Sequence, residues 1–219
     1  MKPLGKISTD WSPELAYAIG LIVTDGSLSK DRRHINFTSK DMEMIQHFQN
    51  ALQIECRVAS KFSGFNKNEP AYYVQPGDVL FYRFLLDIGL MPNKTKTIGS
   101  LKIPKKYFFD FLRGHLDGDG CTYSYWDPRW RSSFMFYTCF VSASKRHVLW
   151  LNLMIANLLD ISGHITHSST VYQLKYAKAE SLILLRKLYP NPKVLCLTRK
   201  RLKIIKMLAI IDQQLYKKP

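Results

Sequence analysis

Acidic residues are scarce in this sequence: 17 Asp and Glu stand against 32 Lys and Arg in 219 residues, a formal net charge of +15. Such an excess makes a large polyanion the natural partner. Nucleic acid is favoured over an acidic membrane surface, because the basic residues are spread along the chain and not gathered on one amphipathic helix or at a terminus. Cysteine is sparse too. Cys56, Cys121, Cys139 and Cys196 lie far apart without C-x-x-C spacing, which speaks against a zinc site and a disulfide framework and leaves them as ordinary core or strand residues. His164 and His167 are close but sit in a Gly/Ser-rich turn with no second ligand pair. Long apolar runs are missing as well: nothing from Met1 to Trp11 could serve as a secretion signal, and no stretch could span a bilayer. A soluble protein of the cytoplasm, or of an organelle matrix, is expected. With 46% hydrophobic residues the chain can still fill a core, as one large domain or two intimately joined small ones.

What the sequence does contain is a repeat. Ala18-Ile19-Gly20-Leu21-Ile22-Val23-Thr24-Asp25-Gly26 and Leu112-Arg113-Gly114-His115-Leu116-Asp117-Gly118-Asp119-Gly120 end alike. Each follows helix-like sequence, opened by Ser12-Pro13-Glu14 in one case and running from Pro104 through Phe111 in the other. After each comes a hairpin pattern, Ser27–Lys30 with His34–Thr38, then Cys121–Tyr125 with Arg131–Ser142; the second is longer by about ten residues if Phe37 and Val141 are equivalent. A helix follows (Met42–Leu52; Lys145–Leu159), then two strands (Arg57–Phe62 and Tyr72–Gln75; Gly163–His167 and Val171–Tyr176), then another helix (Val79–Ile88; Ala179–Leu188). The predicted class is α+β: two pseudo-symmetric αββαββα halves, 1–103 and 104–219, with antiparallel sheets. The basic segment Asn93–Lys105 joins them, and a final helix, Arg199–Leu215, is expected to bury Leu202, Ile205, Leu208, Ala209 and Ile211.

Ala16, Gly20 and Thr24 in one helix, and Gly114 and Gly118 in the other, fall near four-residue spacing. Such flat faces let two backbones approach closely. Packed side by side, the helices would bring Asp25 and Asp119 together, where paired carboxylates can hold divalent cations between protein and phosphate. Asp117-Gly118-Asp119 opens like an EF-hand loop, but Thr122 and Pro128 stand where that loop needs Gly and Glu.

The two segments resemble the paired motifs of the LAGLIDADG homing endonuclease family. The stretch from Ile103 to Gly120 is similar to its second-motif block, and Gly89-Leu90-Met91-Pro92-Asn93-Lys94-Thr95 and Cys196-Leu197-Thr198-Arg199-Lys200-Arg201 resemble blocks that recur in each half. The resemblance implies that Asp25 and Asp119 bind the catalytic metal, Mg²⁺ or another divalent cation such as Mn²⁺ or Ca²⁺. It implies a basic residue from each half near the scissile phosphate, for which Lys94 and Lys200 are chosen, with Lys96 and Arg199 as alternatives. One chain, acting as a monomer, would then cut both strands of double-stranded DNA across the minor groove and leave 3′ overhangs, the enzyme being free-standing and intron-encoded. Two positions depart from the pattern: Val23 stands where an acid is common, and His115 where an apolar residue is usual, so that His115 is expected to disturb the helix packing. The sheets would form a saddle on the major groove, with candidate DNA contacts at Lys30, Arg32, Arg33, Asn36, Lys61 and Gln75, and at Tyr125, Arg129, Arg131, Ser133 and Lys175. The aromatic cluster Tyr123, Tyr125, Trp126, Trp130, Phe134, Phe136 and Tyr137 alternates in a strand pattern and is expected to be core. Alternatives of the same fold are a maturase that binds intron RNA and a regulator that binds DNA without cutting; retention of both acids favours cutting. An intein is disfavoured because Met1-Lys2-Pro3 and Tyr216-Lys217-Lys218-Pro219 lack splice-junction residues.

Overall fold

The segment Leu15–Val23 is apolar all round, and a helix with that pattern must be covered on every side. In the computed structural model, which describes residues 5–62 and 69–216, this segment forms α1 (Pro13–Asp25), buried from Leu15 to Val23. Ser12 accepts a hydrogen bond from the Leu15 amide and Pro13 fills the first turn, where its missing N–H is no loss. The chain continues as β1 (Gly26–Leu28), β2 (Ile35–Ser39), α2 (Met42–Leu52), β3 (Ala59–Phe62), β4 (Pro70–Val74) and α3 (Val79–Asp87). The pattern then repeats as α4 (Phe108–Gly118), β5 (Cys121–Trp126), β6 (Phe134–Ser142), α5 (Lys145–Leu159), β7 (His164–Ser168), β8 (Val171–Tyr176) and α6 (Lys178–Leu188), with α7 (Thr198–Tyr216) added. The terminal residues on which the intein reading rested, Met1-Lys2-Pro3 and Lys217-Lys218-Pro219, lie outside the described residues.

Each half has one antiparallel four-stranded sheet, ordered β1-β2-β4-β3 and β5-β6-β8-β7. Alternation fixes which face is core: Leu28, Ile35, Phe37 and Val74 in one sheet, and Phe134, Phe136, Phe140, Leu174 and Tyr176 in the other, are buried beneath the helices. The register corrects the equivalence drawn from sequence. Gly26 faces Phe37, while Cys121 faces Cys139, so Gly120 lies opposite Phe140, and the position equivalent to Phe37 in the second half is Phe140 and not Val141. A slip of one residue would have put a core phenylalanine on the open face. The long strand predicted from Arg131 begins at Phe134, because the Asp127 carboxylate accepts the amides of Arg129 and Trp130 and holds a turn that closes only at Ser133. The first hairpin is shorter than predicted for a similar reason: Asp31 accepts the amides of Arg33 and His34, taking Lys30 out of the strand. Residues from Lys105 to Tyr107 form a 3-10 turn ahead of α4 instead of its first turn. Strand β4 ends at Val74, one residue short of Gln75, and β3 starts at Ala59 and not Arg57.

The halves meet through α1 and α4. A Cβ built on Gly20 would lie 2.2 Å from the Phe111 carbonyl oxygen, and one on Gly114 would lie 2.1 Å from that of Tyr17. Only hydrogen fits at this crossing. Two further links run across it reciprocally. After the first half, Ile98 and Gly99 present their carbonyls to Ser144 (2.5 Å) and to His147 Nδ1 (2.9 Å) of the second. After the second half, the Thr198 amide donates to Glu43 (3.0 Å) and Arg199 pairs with Asp41 (2.9 Å) in the first. The joining segment is thus partly a packing element, with Ile98, Leu101 and Ile103 buried, while Lys96, Lys102 and Lys105 are exposed. The α7 stripe differs from the expected one: Ile204, Met207 and Ile211 are buried, Leu208 is intermediate, and Leu202, Ile205 and Ala209 are exposed. The seam is narrower than the apolar content suggests because α7 packs along one side of a sheet, where it contacts β5, and is not enclosed.

Candidate active site and nucleic-acid face

Both motifs end their helices at the same place, and the close crossing places those ends together. A Cβ on Gly118 would be 2.0 Å from Thr24 Oγ1 and 2.7 Å from Asp25 Oδ2, so the Asp25 carboxylate lies against the residue that precedes Asp119. The two acids feel each other. Burial, and then repulsion from Asp119, push the Asp25 carboxyl up to about 6; the Thr24 hydroxyl, Lys200 and Lys94 act in the opposite direction. Asp119 opens to solvent at the helix end, yet the protein packed beneath it raises its carboxyl as well, against the pull of Lys94 and Lys200. Carboxylates crowded in this way favour a cation that would relieve their repulsion.

The two chosen lysines occupy matching positions. Lys94, in a 3-10 turn and buried, donates to the Gly26 carbonyl at 2.7 Å; Lys200, in the first turn of α7, donates to the Gly120 carbonyl at 2.7 Å. Lys200 also reaches the carbonyls of Leu116 (2.6 Å) and Asp117 (2.7 Å), the free acceptors at the end of α4, where a positive charge suits the helix dipole. Burial lowers both ammonium groups, Lys94 to about 8. Of the alternatives, Lys96 is exposed and Arg199 is engaged with Asp41 on the surface.

The polar residues of the second motif have separate structural employment. Arg113 donates to the carbonyls of Leu195 (2.8 Å) and Leu188 (2.9 Å) and to Asp110 (2.7 Å). Asp117 accepts from Tyr17 of the other helix and from the Leu197 amide, both at 2.8 Å; its counterpart Val23 needs no such partner. His115 does not disturb the helix crossing, contrary to expectation. Only its backbone faces Gly20, while its ring stacks on His147 (5.3 Å) and meets the edge of Phe140 (5.9 Å). Burial drives His115 well below its ordinary value and His147 to about 4, so both are neutral.

The open sheet faces can be read from the registers. In the first half, Ser27, Asn36, Thr38, Tyr73 and Lys61 share the face turned away from the core: Thr38 donates to Asn36 (2.9 Å), and Lys61 lies 5.4 Å from the Tyr73 ring centre. Gln75 is exposed beyond β4, and Lys30, Arg32 and Arg33 are exposed at the hairpin turn. In the second half, Tyr125 and Lys175 share the open face with Tyr123, Tyr137, Met135 and Gln173, with Ser133 just ahead of β6 and Arg129 and Arg131 exposed at the turn. The aromatic cluster therefore divides. Phe134 and Phe136 are core, Trp126 and Trp130 are exposed, and Tyr123, Tyr137 and Tyr125 stack on the open face at 5.0 Å and 6.2 Å. The sequence reading missed Tyr73, Tyr123 and Tyr137 as members of this face; their odd-numbered alternation against buried even positions was the available signal. Among the described residues no group of three or more His, Cys, Asp or Glu could hold a metal by itself, and no helix is long and apolar enough to cross a membrane.

Comparison with known proteins agrees with this architecture. Residues 12–75 match the model of the LAGLIDADG-like domain. The homing endonuclease I-WcaI bound to its DNA recognition sequence is similar with a TM-score of 0.65 and 13% identity over 90% of this chain and 88% of that one. Full-length WhiA from Thermatoga maritima gives a TM-score of 0.57 and 14% identity, covering 93% of this chain and 69% of that one. I-DmoI in complex with DNA and Mn gives 0.50 and 15% over 81% and 97%. No curated protein sequence matches the chain.

Proposed function

We propose that this chain, which has the LAGLIDADG fold in its single-chain, two-half form, is a site-specific endonuclease that cuts both strands of a long, asymmetric DNA target. The observation that carries the proposal is the meeting of Asp25 and Asp119 at the helix crossing, with a lysine, buried Lys94 or half-buried Lys200, held on the carbonyl of the glycine that follows each acid. Domain limits at 1–103 and 104–219 and action as a monomer belong to the same reading, since each half supplies one acid and one lysine.

The donor set fits a hard divalent cation. Two carboxylates in mutual repulsion suit hard cations such as Mg²⁺ or Mn²⁺, which prefer oxygen donors and complete their shells with water and phosphate oxygens. When bound, the ion supplies charge neutralisation at phosphate and a more acidic water. Asp25 and Asp119 would hold it. Lys94 and Lys200 stand ready to offset charge that develops on the scissile phosphates, and the ties to Gly26 and Gly120 fix where each ammonium begins. The open faces, carrying Asn36, Lys61 and Gln75 in one half and Tyr125 and Lys175 in the other, read the major groove, while Lys30, Arg32, Arg33, Arg129 and Arg131 contact the backbone. A protein of net charge +15 fits that duplex through these residues.

The deciding experiment is a cleavage selection on a genomic or randomised duplex library with Mg²⁺, run with the intact protein and with the Asp25→Asn, Asp119→Asn double variant. Specific cuts with 3′ overhangs, absent from the variant, establish the activity. Binding of duplex without cutting by either protein replaces the reading with a DNA-binding regulator, and selective binding of intron RNA replaces it with a maturase.

A further inference from the structure

Cys121 and Cys139 are directly opposed across β5 and β6, on the open face of the second sheet, in a row that continues to Lys175 and His164. Opposed residues of an antiparallel pair have Cα atoms about 4.5–5.5 Å apart, within the range a disulfide spans. The two differ in access: Cys121 is exposed, and Cys139 is only 2% exposed. Cys121 follows the motif glycine directly, two residues from Asp119, with Lys175, Lys200 and Lys203 around it. This corner therefore attracts anions, and a large anionic adduct on Cys121 would stand where phosphate is to lie.

We infer that Cys121 and Cys139 form a self-clearing dithiol, in which Cys121 exchanges with anionic low-molecular-weight disulfides and Cys139 then resolves the adduct into a cross-strand disulfide, leaving the face open for DNA. In the first step the Cys121 sulfur bonds to one sulfur of the small disulfide, whose S–S bond breaks. The departing thiol takes up the proton that Cys121 gave up. In the second step Cys139 attacks the Cys121 sulfur, the mixed bond breaks and the second small thiol leaves with the proton of Cys139. Two protein thiols are oxidised, one small disulfide is reduced to two thiols, and an external dithiol reverses the process. The burial of Cys139 assigns the order, because a bulky reagent cannot reach it whereas the neighbouring sulfur can.

The chemistry stands on the register alone; its effect on DNA rests on the function proposed above. The test treats the folded, full-length protein with oxidised glutathione and reads intact mass and duplex binding. The native protein should lose two hydrogens and carry no adduct, with peptide mapping locating the link at Cys121–Cys139. Cys139→Ser should retain a single glutathionyl group on Cys121 and bind duplex about tenfold more weakly than its untreated form, given an added negative charge near phosphate. Cys121→Ser should do neither. A stable adduct on native Cys121, or no link between the two cysteines, would overturn the inference. Mass results as expected with unchanged duplex binding by the Cys139→Ser adduct would overturn the clearing role. If no form of the protein, treated or not, binds duplex, the failure lies with the proposed function and the dithiol chemistry stands.

Discussion

Replacing Asp25 by asparagine should abolish cutting and, in the absence of divalent cations, make the protein more stable. The carboxyl is raised from 3.8 to about 6 by burial and by Asp119, so the folded state holds its proton more tightly than the unfolded state does. The sign follows from that direction. Below the unfolded value both states are protonated and there is no penalty; as the pH rises through the window from 3.8 to about 6 the penalty grows, and above it the penalty is complete. A shift of about two units corresponds to roughly 3 kcal/mol, and allowing for residual solvation a gain of about 2 kcal/mol is expected from a neutral isostere. For a chain of this size that is an increase in Tm of roughly 4–8 °C. The assay is thermal unfolding in EDTA at about pH 8 and about pH 4, where the difference between the proteins should be large and small respectively. Added Mg²⁺ should then raise the native Tm more than that of the variant, because only the native pair retains both charges. An asparagine variant that melts at or below the native protein near pH 8 in EDTA would refute the claim that burial and Asp119 penalise the Asp25 charge in the fold.

Further outcomes follow from the same geometry. Gly20→Ala should cost about 3 kcal/mol or more in urea unfolding, since its methyl group would collide with backbone and not with a movable side chain. His147→Asn, which keeps a donor for Gly99, should remove a pH dependence: the native protein should lose up to about 3 kcal/mol relative to the variant as the pH falls from 6.5 toward 4, because the folded imidazole resists protonation. Equal slopes for the two proteins would contradict this. Substituting Asn36 should relax sequence preference at one position of the target, whereas Arg33→Ala should weaken binding to all sequences and flatten its salt dependence, as a binding titration at several salt concentrations would reveal.

The element order and the close crossing were legible because they depend on local signals: the Ser12-Pro13 start, the small residues at Gly20 and Gly114, and the terminal Asp-Gly pairs. Matching positions for Lys94 and Lys200 were legible only through block resemblance, since in a chain with 32 basic residues composition does not single out any one of them. What escaped was decided by tertiary partners. The register that makes Phe37 and Phe140 equivalent depends on hydrogen bonds between strands, and Asp127 sets the end of the hairpin with its own side chain. The open-face position of Tyr123 and Tyr137, stacked with Tyr125, is not legible in the sequence, because aromatic alternation looks the same whether it points inward or outward. The motif position of His115 says nothing of its ring, which is accommodated by His147 and Phe140, residues distant in sequence.

The reciprocal ties at Ile98–Gly99 and Thr198–Arg199 bear on how such a chain can be recombined. Each repeat ends in a short tail that is stapled to the opposite repeat, and each tail carries, or directly precedes, the lysine of its own motif. A hybrid that joins one half of this protein to a foreign half therefore inherits a mismatch at both staples unless the receiving residues Asp41 and Glu43, or Ser144 and His147, are moved with it. Swapping the contact surfaces alone would leave Lys94 or Lys200 on a tail with nothing to hold, so the exchangeable unit is a half together with the landing site of its tail.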